Sequence, residues 1–259
     1  MGKVEIGVCH LCGKFGNLSF EHVPPEAAFN DHRVLRVSFE QVLNNRHPDE
    51  FRGLYQQRGA GDLTLCKKCN SDTGSWYGTA YADWAAQAMR IVLGTRGRPT
   101  LEYPFGLFPL RVLKQIVCMF FSVNGPLFRM RQTDIVKFVL DKQSKNFPDH
   151  VRVYAFYTLS NRSRAASVSS VLKGLGSSHS SVHVFSEVTF PPFGFVMTFD
   201  NSPPPQSGFC EISSFSKFDY GDRRTGITMK LPLMPIYTLY PGDYRSREKT
   251  LSEAVPLRT

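Results

Sequence analysis

Two close cysteine pairs, Cys9-His10-Leu11-Cys12 and Cys66-Lys67-Lys68-Cys69, constrain this chain more than any other feature. A tight turn between paired cysteines presents two sulfurs to one ion, and two such turns complete a tetrahedral thiolate shell. A structural zinc held by Cys9, Cys12, Cys66 and Cys69 is therefore expected, with two unlinked knuckles or disulfides as the alternative. The spacing between the pairs exceeds that of a compact zinc ribbon, so a substantial insertion lies between them. His10 reads as a solvated turn residue, because four cysteines already fill the shell. Cys118 and Cys210 stand alone among apolar residues and read as buried free thiols.

The residues around the pairs carry their own pattern. Val8 to Phe20 reads as a hairpin bearing the first knuckle, with Gly13, Gly16 and Asn17 as turn residues. Pro24 and Pro25 end the ladder, which leaves Glu21 and His22 adjacent at a strand end with side chains on opposite faces. After the second knuckle, Tyr77, Ala80, Tyr81, Trp84, Ala88, Ile91 and Val92 recur at helical spacing, predicting one helix that Asn70 opens and that ends near Gly94. Asn70, at or near the helix start, reads as an ordinary N-cap. The glycine stripe Gly74, Gly78 with Ala82 suits close packing of the hairpin.

Charge points to the class of partner. Lys and Arg number 31 against 22 Asp and Glu, giving +9, and this excess favours a polyanion. The insertion from Phe29 to Gly61 is basic, and Arg33 and Arg36 in it, with Arg96 and Arg98 in a linker, are candidates to track phosphates. A solvated loop is the other reading of that insertion. From residue 96 the character changes. Two amphipathic helices are predicted over Pro109 to Val123 and Thr133 to Lys145. Five β-rich runs follow, Val151 to Leu159, Ser181 to Phe190, Phe193 to Phe199, Phe209 to Phe215 and Ile227 to Leu239. The expected architecture here is α+β with a mainly antiparallel sheet. Paired basic residues such as Arg129 with Arg131, Arg162 with Arg164 and Arg223 with Arg224 either track phosphates or serve solvation.

Taken in order, Cys-x-x-Cys-Gly, then Glu21-His22-x-x-Pro25, then Leu65-Cys-x-x-Cys-Asn70 leading into a helix resembles the zinc-stapled branch of the HNH, or ββα-metal, endonucleases over about residues 8–95. The resemblance implies an HNH-like nuclease unit at residues 1–95 and an accessory α+β domain at 96–259 for substrate or partner binding. It implies His22 as general base, with Glu21 and Asn70 holding one catalytic Mg²⁺ or Mn²⁺ beside the structural Zn²⁺. Glu21 stands where the family more often has Asp. Asp62, before Leu63, replaces the family's middle Asn, which puts the orienting role on Asp62.

The function expected is metal-dependent hydrolysis of phosphodiester bonds, first of all in double-stranded DNA, in a setting such as phage defence or restriction. The alternative is a zinc-stabilised nucleic-acid-binding module without cleavage, acting with a partner. A protein partner or a second copy of the chain is expected on the C-terminal half. No phosphate-binding loop, dinucleotide fingerprint or zinc-protease helix is present. The longest apolar stretch, Ile116 to Val123, is too short to span a bilayer and no leader is visible, so a cytoplasmic location is expected.

Overall fold

The first cysteine pair closes a hairpin. Strands β1 (Glu5–Val8) and β2 (Phe15–His22) run antiparallel with Val8 opposite Phe15, and Cys9 to Lys14 form the turn. Gly13 there has φ of +76°, a left-handed conformation that a side chain would strain. Gly16 and Asn17 lie within β2 and not in the turn, since the knuckle itself reverses the chain. The computed structural model describes residues 5–44, 52–95, 98–173, 181–200 and 202–252.

Beyond β2 the basic insertion forms a small hairpin of β3 (Val34–Arg36) and β4 (Leu54–Gln56) and a short helix α1 (Phe39–Asn44). Strand β5 (Gly61–Cys66) then returns antiparallel to β2, giving a three-stranded sheet of order β1-β2-β5. The chain passes directly from β5 into helix α2 (Lys67–Thr73), a single π-helical stretch over Gly74–Gly78 and helix α3 (Thr79–Gly94). The helix therefore begins three residues before Asn70, because Cys66 caps it and the second knuckle is its first turn.

Strand β6 (Thr100–Leu107) leads to α4 (Pro109–Asn124), which starts with proline at its first position, where no N–H is needed. An amphipathic helix was expected here, but α4 is buried on all sides from Leu110 to Ser122 except at Arg111. It is the central element of the molecule, and the charge of Lys114 is accommodated by carbonyls: its Nζ donates to Phe138 O (2.5 Å) and Asp141 O (2.6 Å). Those carbonyls lie at the C-terminal end of α6 (Thr133–Leu140), so a buried ammonium caps that helix. Burial lowers the Lys114 amine to about 8. Between these helices α5 (Pro126–Arg131) turns the chain.

The second half is an antiparallel sheet, as the β-rich runs suggest. Strands β7 (Val151–Tyr157), β8 (Arg164–Lys173), β9 (Ser181–Phe190), β10 (Phe193–Phe199) and β11 (Cys210–Glu211) are arranged in the order β11-β7-β10-β9-β8. The run Phe209 to Phe215 becomes the two-residue β11 followed by a 3-10 turn, and Cys210 is half-buried. Strand β12 (Arg224–Pro232) pairs with β6 instead of joining the large sheet, and a last helix α7 spans Arg247–Ser252. Strand β8 lacks apolar alternation, with alanines and serines at Ala165 to Ser170, which hides it in the sequence.

One buried cluster runs across both halves. Trp84 of α3 is fully buried and stacks on Phe193 of β10 with centroids 3.9 Å apart, and Tyr81 meets Phe195 at 6.0 Å. Burial of such rings is worth about 1.5–3 kcal/mol each for large apolar side chains, so the second half contributes to holding α3 in place. Among the described residues no helix is long and apolar enough to cross a membrane.

Candidate functional site

The four cysteines of the two pairs meet. Their sulfurs all lie within 4.8 Å of one another, and Sγ of Cys12 is 3.8 Å from that of Cys66. Zn–S bonds of about 2.3 Å in a tetrahedron place sulfurs about 3.8 Å apart, so the cluster fits a four-coordinate metal ion. All four are free thiols, which sets the disulfide alternative aside. The frame is built for anionic sulfur. The Cys9 thiol is pulled well down, first by the hydrogen bond from Cys69 and further by the N–H groups of Cys66, Cys12 and Leu11. Cys69 keeps the shared proton and is pushed up, with burial adding to the effect. His10 does not merely face solvent: its ring Nδ1 lies 3.2 Å from Ser122 O, and its backbone N–H donates to Thr64 O, docking the knuckle on α4 and β5. Arg129 of α5 lies where a Cβ on Gly13 would sit, so its guanidinium packs over the knuckle.

Glu21 and His22 alternate across β2 as strand geometry requires. Glu21 is 7% exposed, and burial alone pushes its carboxyl up to about 8. Among the described residues no donor reaches this carboxylate. It lies close enough to Cys118 to add to the upward push that burial gives that thiol. His22 is half-buried on the other face, with its ring edge against Phe20 at 4.9 Å. Its Nε2 lies 2.7 Å from the carbonyl oxygen of Arg58. A carbonyl only accepts, so Nε2 of the neutral ring carries the proton and Nδ1 presents its lone pair.

Asn70 sits in the first turn of α2, on the helix side of β2. Its Nδ2 donates to Ser19 Oγ (3.1 Å) and Phe20 O (2.8 Å). The Ser19 hydroxyl gives its own hydrogen to Leu65 O, so both partners of Asn70 accept and the amide orientation is fixed. Oδ1 is left as a lone-pair donor with no hydrogen bond from the described residues. Glu21 and Ser19, two residues apart in β2, project to the same side of the strand, and the carboxylate and the amide oxygen are both hard oxygen donors.

Asp62 does not orient the imidazole. It lies directly opposite Glu21 in the ladder, whereas Gly61 is opposite His22, and its carboxylate pairs with Arg36 at 2.7 Å. The orienting group is instead the Arg58 carbonyl. The segment bearing it is fixed by Asn30, which is fully buried, donates Nδ2 to Pro24 O (2.6 Å) and Ala60 O (2.8 Å), and accepts from the Ala60 N–H (2.6 Å). Gly59, with φ of +87°, passes so close that a Cβ would collide with Asn30 O. A backbone carbonyl has no residue signature, so sequence reasoning misses it. Asn30 carried a faint signal in its place after the Pro24-Pro25 turn.

Of the remaining basic candidates, Arg33 and Arg36 border a large cleft beside β5. Arg98, Arg223 and Arg224 are exposed and do not line it, Arg224 pairing with Asp222 at 3.0 Å. Arg96 lies outside the described residues. The chain matches no protein-family model, no curated protein and no solved structure.

Proposed function

We propose that this chain is a metal-dependent endonuclease of the HNH type, acting on phosphodiester bonds and first of all on double-stranded DNA. The observation that carries the reading is the fixed His22 tautomer, Nε2 bound to the Arg58 carbonyl and Nδ1 bare, one residue from a buried carboxylate beside a four-cysteine cluster. An imidazole so held takes a proton from water near neutral pH at Nδ1. The Arg58 carbonyl stabilises the charge that the ring then gains. Glu21 and Asn70 would hold one Mg²⁺ or Mn²⁺, through a carboxylate oxygen and Oδ1. Such an ion supplies a charge sink for the pentacoordinate phosphate and the departing 3′-oxygen. The four cysteines would hold Zn²⁺ and staple the hairpin to the helix.

A second reading is favoured by one observation. Glu21 is so deeply buried that at neutral pH it is largely protonated without a cation, which suits a nucleic-acid-binding module that keeps the frame and does not cleave. Incubating the purified chain with supercoiled plasmid in Mg²⁺, Mn²⁺ or EDTA decides between them. Nicking and linearisation that need the cation and vanish in His22→Ala support the nuclease. Plasmid left intact in every cation, by zinc-loaded folded protein, supports the binding module.

A further inference from the structure

A cleft of about 2340 Å³ opens between the two halves of the molecule. One wall is the basic insertion, residues 32–39, with Asp62 to Thr64 of β5. The other is the turn at 160–163 with β8 and the segment 239–246. The walls are tied at two points, by Phe39 against Tyr240 (centroids 6.1 Å) and by His32 against Phe190 (6.0 Å). The cleft is lined at one place by Val23, Gly61 and Ala60, the residue after His22, the residue opposite it in the ladder and that residue's neighbour. It therefore runs up to the end of β2, next to His22, whose own side chain does not line it.

Its lining is cationic, with six Lys and Arg side chains against three carboxylates. Three of the six cations are balanced by ion pairs. Arg36 pairs with Asp62, Arg245 with Asp243 at 2.7 Å, and the buried Arg164 with Glu187 at 2.6 Å. Arg164 also donates to Tyr240 O and Asp243 O, and Glu187 accepts from the Gly242 N–H, so this buried pair is the brace that holds the 239–246 wall in place. Two guanidiniums are different. Arg33, on one wall, lies over the Tyr55 ring at 3.6 Å, and Arg162, on the other, donates to Tyr237 O. Neither has a carboxylate partner among the described residues. A guanidinium without a counter-charge on each side of a groove suits a ligand with repeated anionic groups, and the forked N–H geometry of arginine matches phosphate.

We propose that this cleft is the path of a sugar–phosphate backbone, gripped by Arg33 and Arg162 from opposite walls and delivered to His22. The proposal rests on the nuclease reading for the direction of delivery, and it assigns substrate contact to the C-terminal half through Arg162 instead of through Arg223 and Arg224.

The test is binding of a fluorescent DNA, as duplex and as single strand, to the full chain in EDTA across a series of salt concentrations. Each neutralised phosphate contributes a slope of about 0.9 on duplex and about 0.7 on single strand, so Arg33→Gln with Arg162→Gln should flatten the log–log slope by about 1.8 or about 1.4. Arg33→Lys with Arg162→Lys keeps the charges and should restore most of the slope. This guards against a mere loss of folding, because Tyr237 O loses its forked donor in both pairs. Arg223→Gln with Arg224→Gln should leave the slope as in the wild type. An unchanged slope in the first pair, or equal flattening in the Arg223/Arg224 pair, overturns the cleft as the path. The nuclease reading is scored separately by plasmid cleavage. A steep, arginine-dependent slope without cleavage keeps the cleft and removes the nuclease, and cleavage with an unchanged slope does the reverse.

Discussion

The Nε2 atom of His22 lies 2.7 Å from the carbonyl oxygen of Arg58, thirty-six residues away in sequence. This contact gives the ring a fixed tautomer without using any side chain, and so the base proposed above would depend on backbone placement. Replacing His22 with Ala should lower cleavage by about a hundred- to ten-thousand-fold, while the melting temperature and zinc content stay close to wild type. Arg58→Ala should cleave near the wild-type rate, since only its carbonyl takes part. Plasmid nicking rates of the two variants, measured side by side, check both statements.

The segment that bears this carbonyl is set by Asn30, so Asn30→Ala should damage the site from a distance. It removes three hydrogen bonds from a fully buried position and leaves Pro24 O and the Ala60 N–H to find other partners, while Ala60 O keeps the Val23 N–H. Leaving one buried group unsatisfied costs about 1–3 kcal/mol, so a loss of at least that size is expected in urea unfolding. Cleavage should fall in protein that is still folded. A purely structural role for Asn30 would lower the folded fraction and leave the cleavage rate per folded molecule at the wild-type value.

The cysteine cage and the Glu21–His22 strand end were legible in the sequence because each depends on residue type at short spacing. The α+β class with antiparallel strands was legible for a similar reason, since β-branched and aromatic runs mark β7, β9 and β10. The burial of α4 was not. Its Arg111, Lys114 and Gln115 give the sequence an amphipathic look, and only the carbonyls at the end of α6 explain how Lys114 can be buried. Strand β8 was hidden by its alanines and serines, and the imidazole's partner was hidden because it is backbone. Asp62 drew the orienting role on resemblance alone, but in the ladder it lies opposite Glu21 and not opposite His22.

Removing one thiolate tests the cage. Cys66→Ser should lower bound zinc from one per chain toward none and loosen the hairpin–helix unit, since metal binding there contributes folding free energy. Amide exchange is expected to rise in β1, β2 and α2 first. The rise should be smaller in β10, whose every residue is buried and whose partners β7 and β9 lie far along the chain from the metal. A chelator strong enough to strip zinc from the wild type should give the same pattern.

Glu21 gives the chain a pH dependence whose sign follows from burial. Its carboxyl titrates near the ordinary glutamate value of 4.5 when the chain is unfolded and at about 8 when it is folded without a cation. Between those values the folded state holds one more proton than the unfolded state, so stability falls as pH rises through the window and levels off above about 8. Glu21→Gln should abolish that slope, because the amide is neutral at every pH and has almost the same shape. A divalent cation bound to Glu21 must displace the proton, so Mn²⁺ should bind more tightly as pH rises toward about 8, with close to one proton released per ion at pH 6. Urea unfolding of the zinc-loaded chain at pH 5.5, 7 and 8.5, with and without Mn²⁺, reads both effects at once. The cation should add most stability at the alkaline end and almost none to Glu21→Gln. A wild-type stability that is flat from pH 5 to 8 would remove the buried, unpaired carboxyl from this account, and with it the ligand assigned to Glu21.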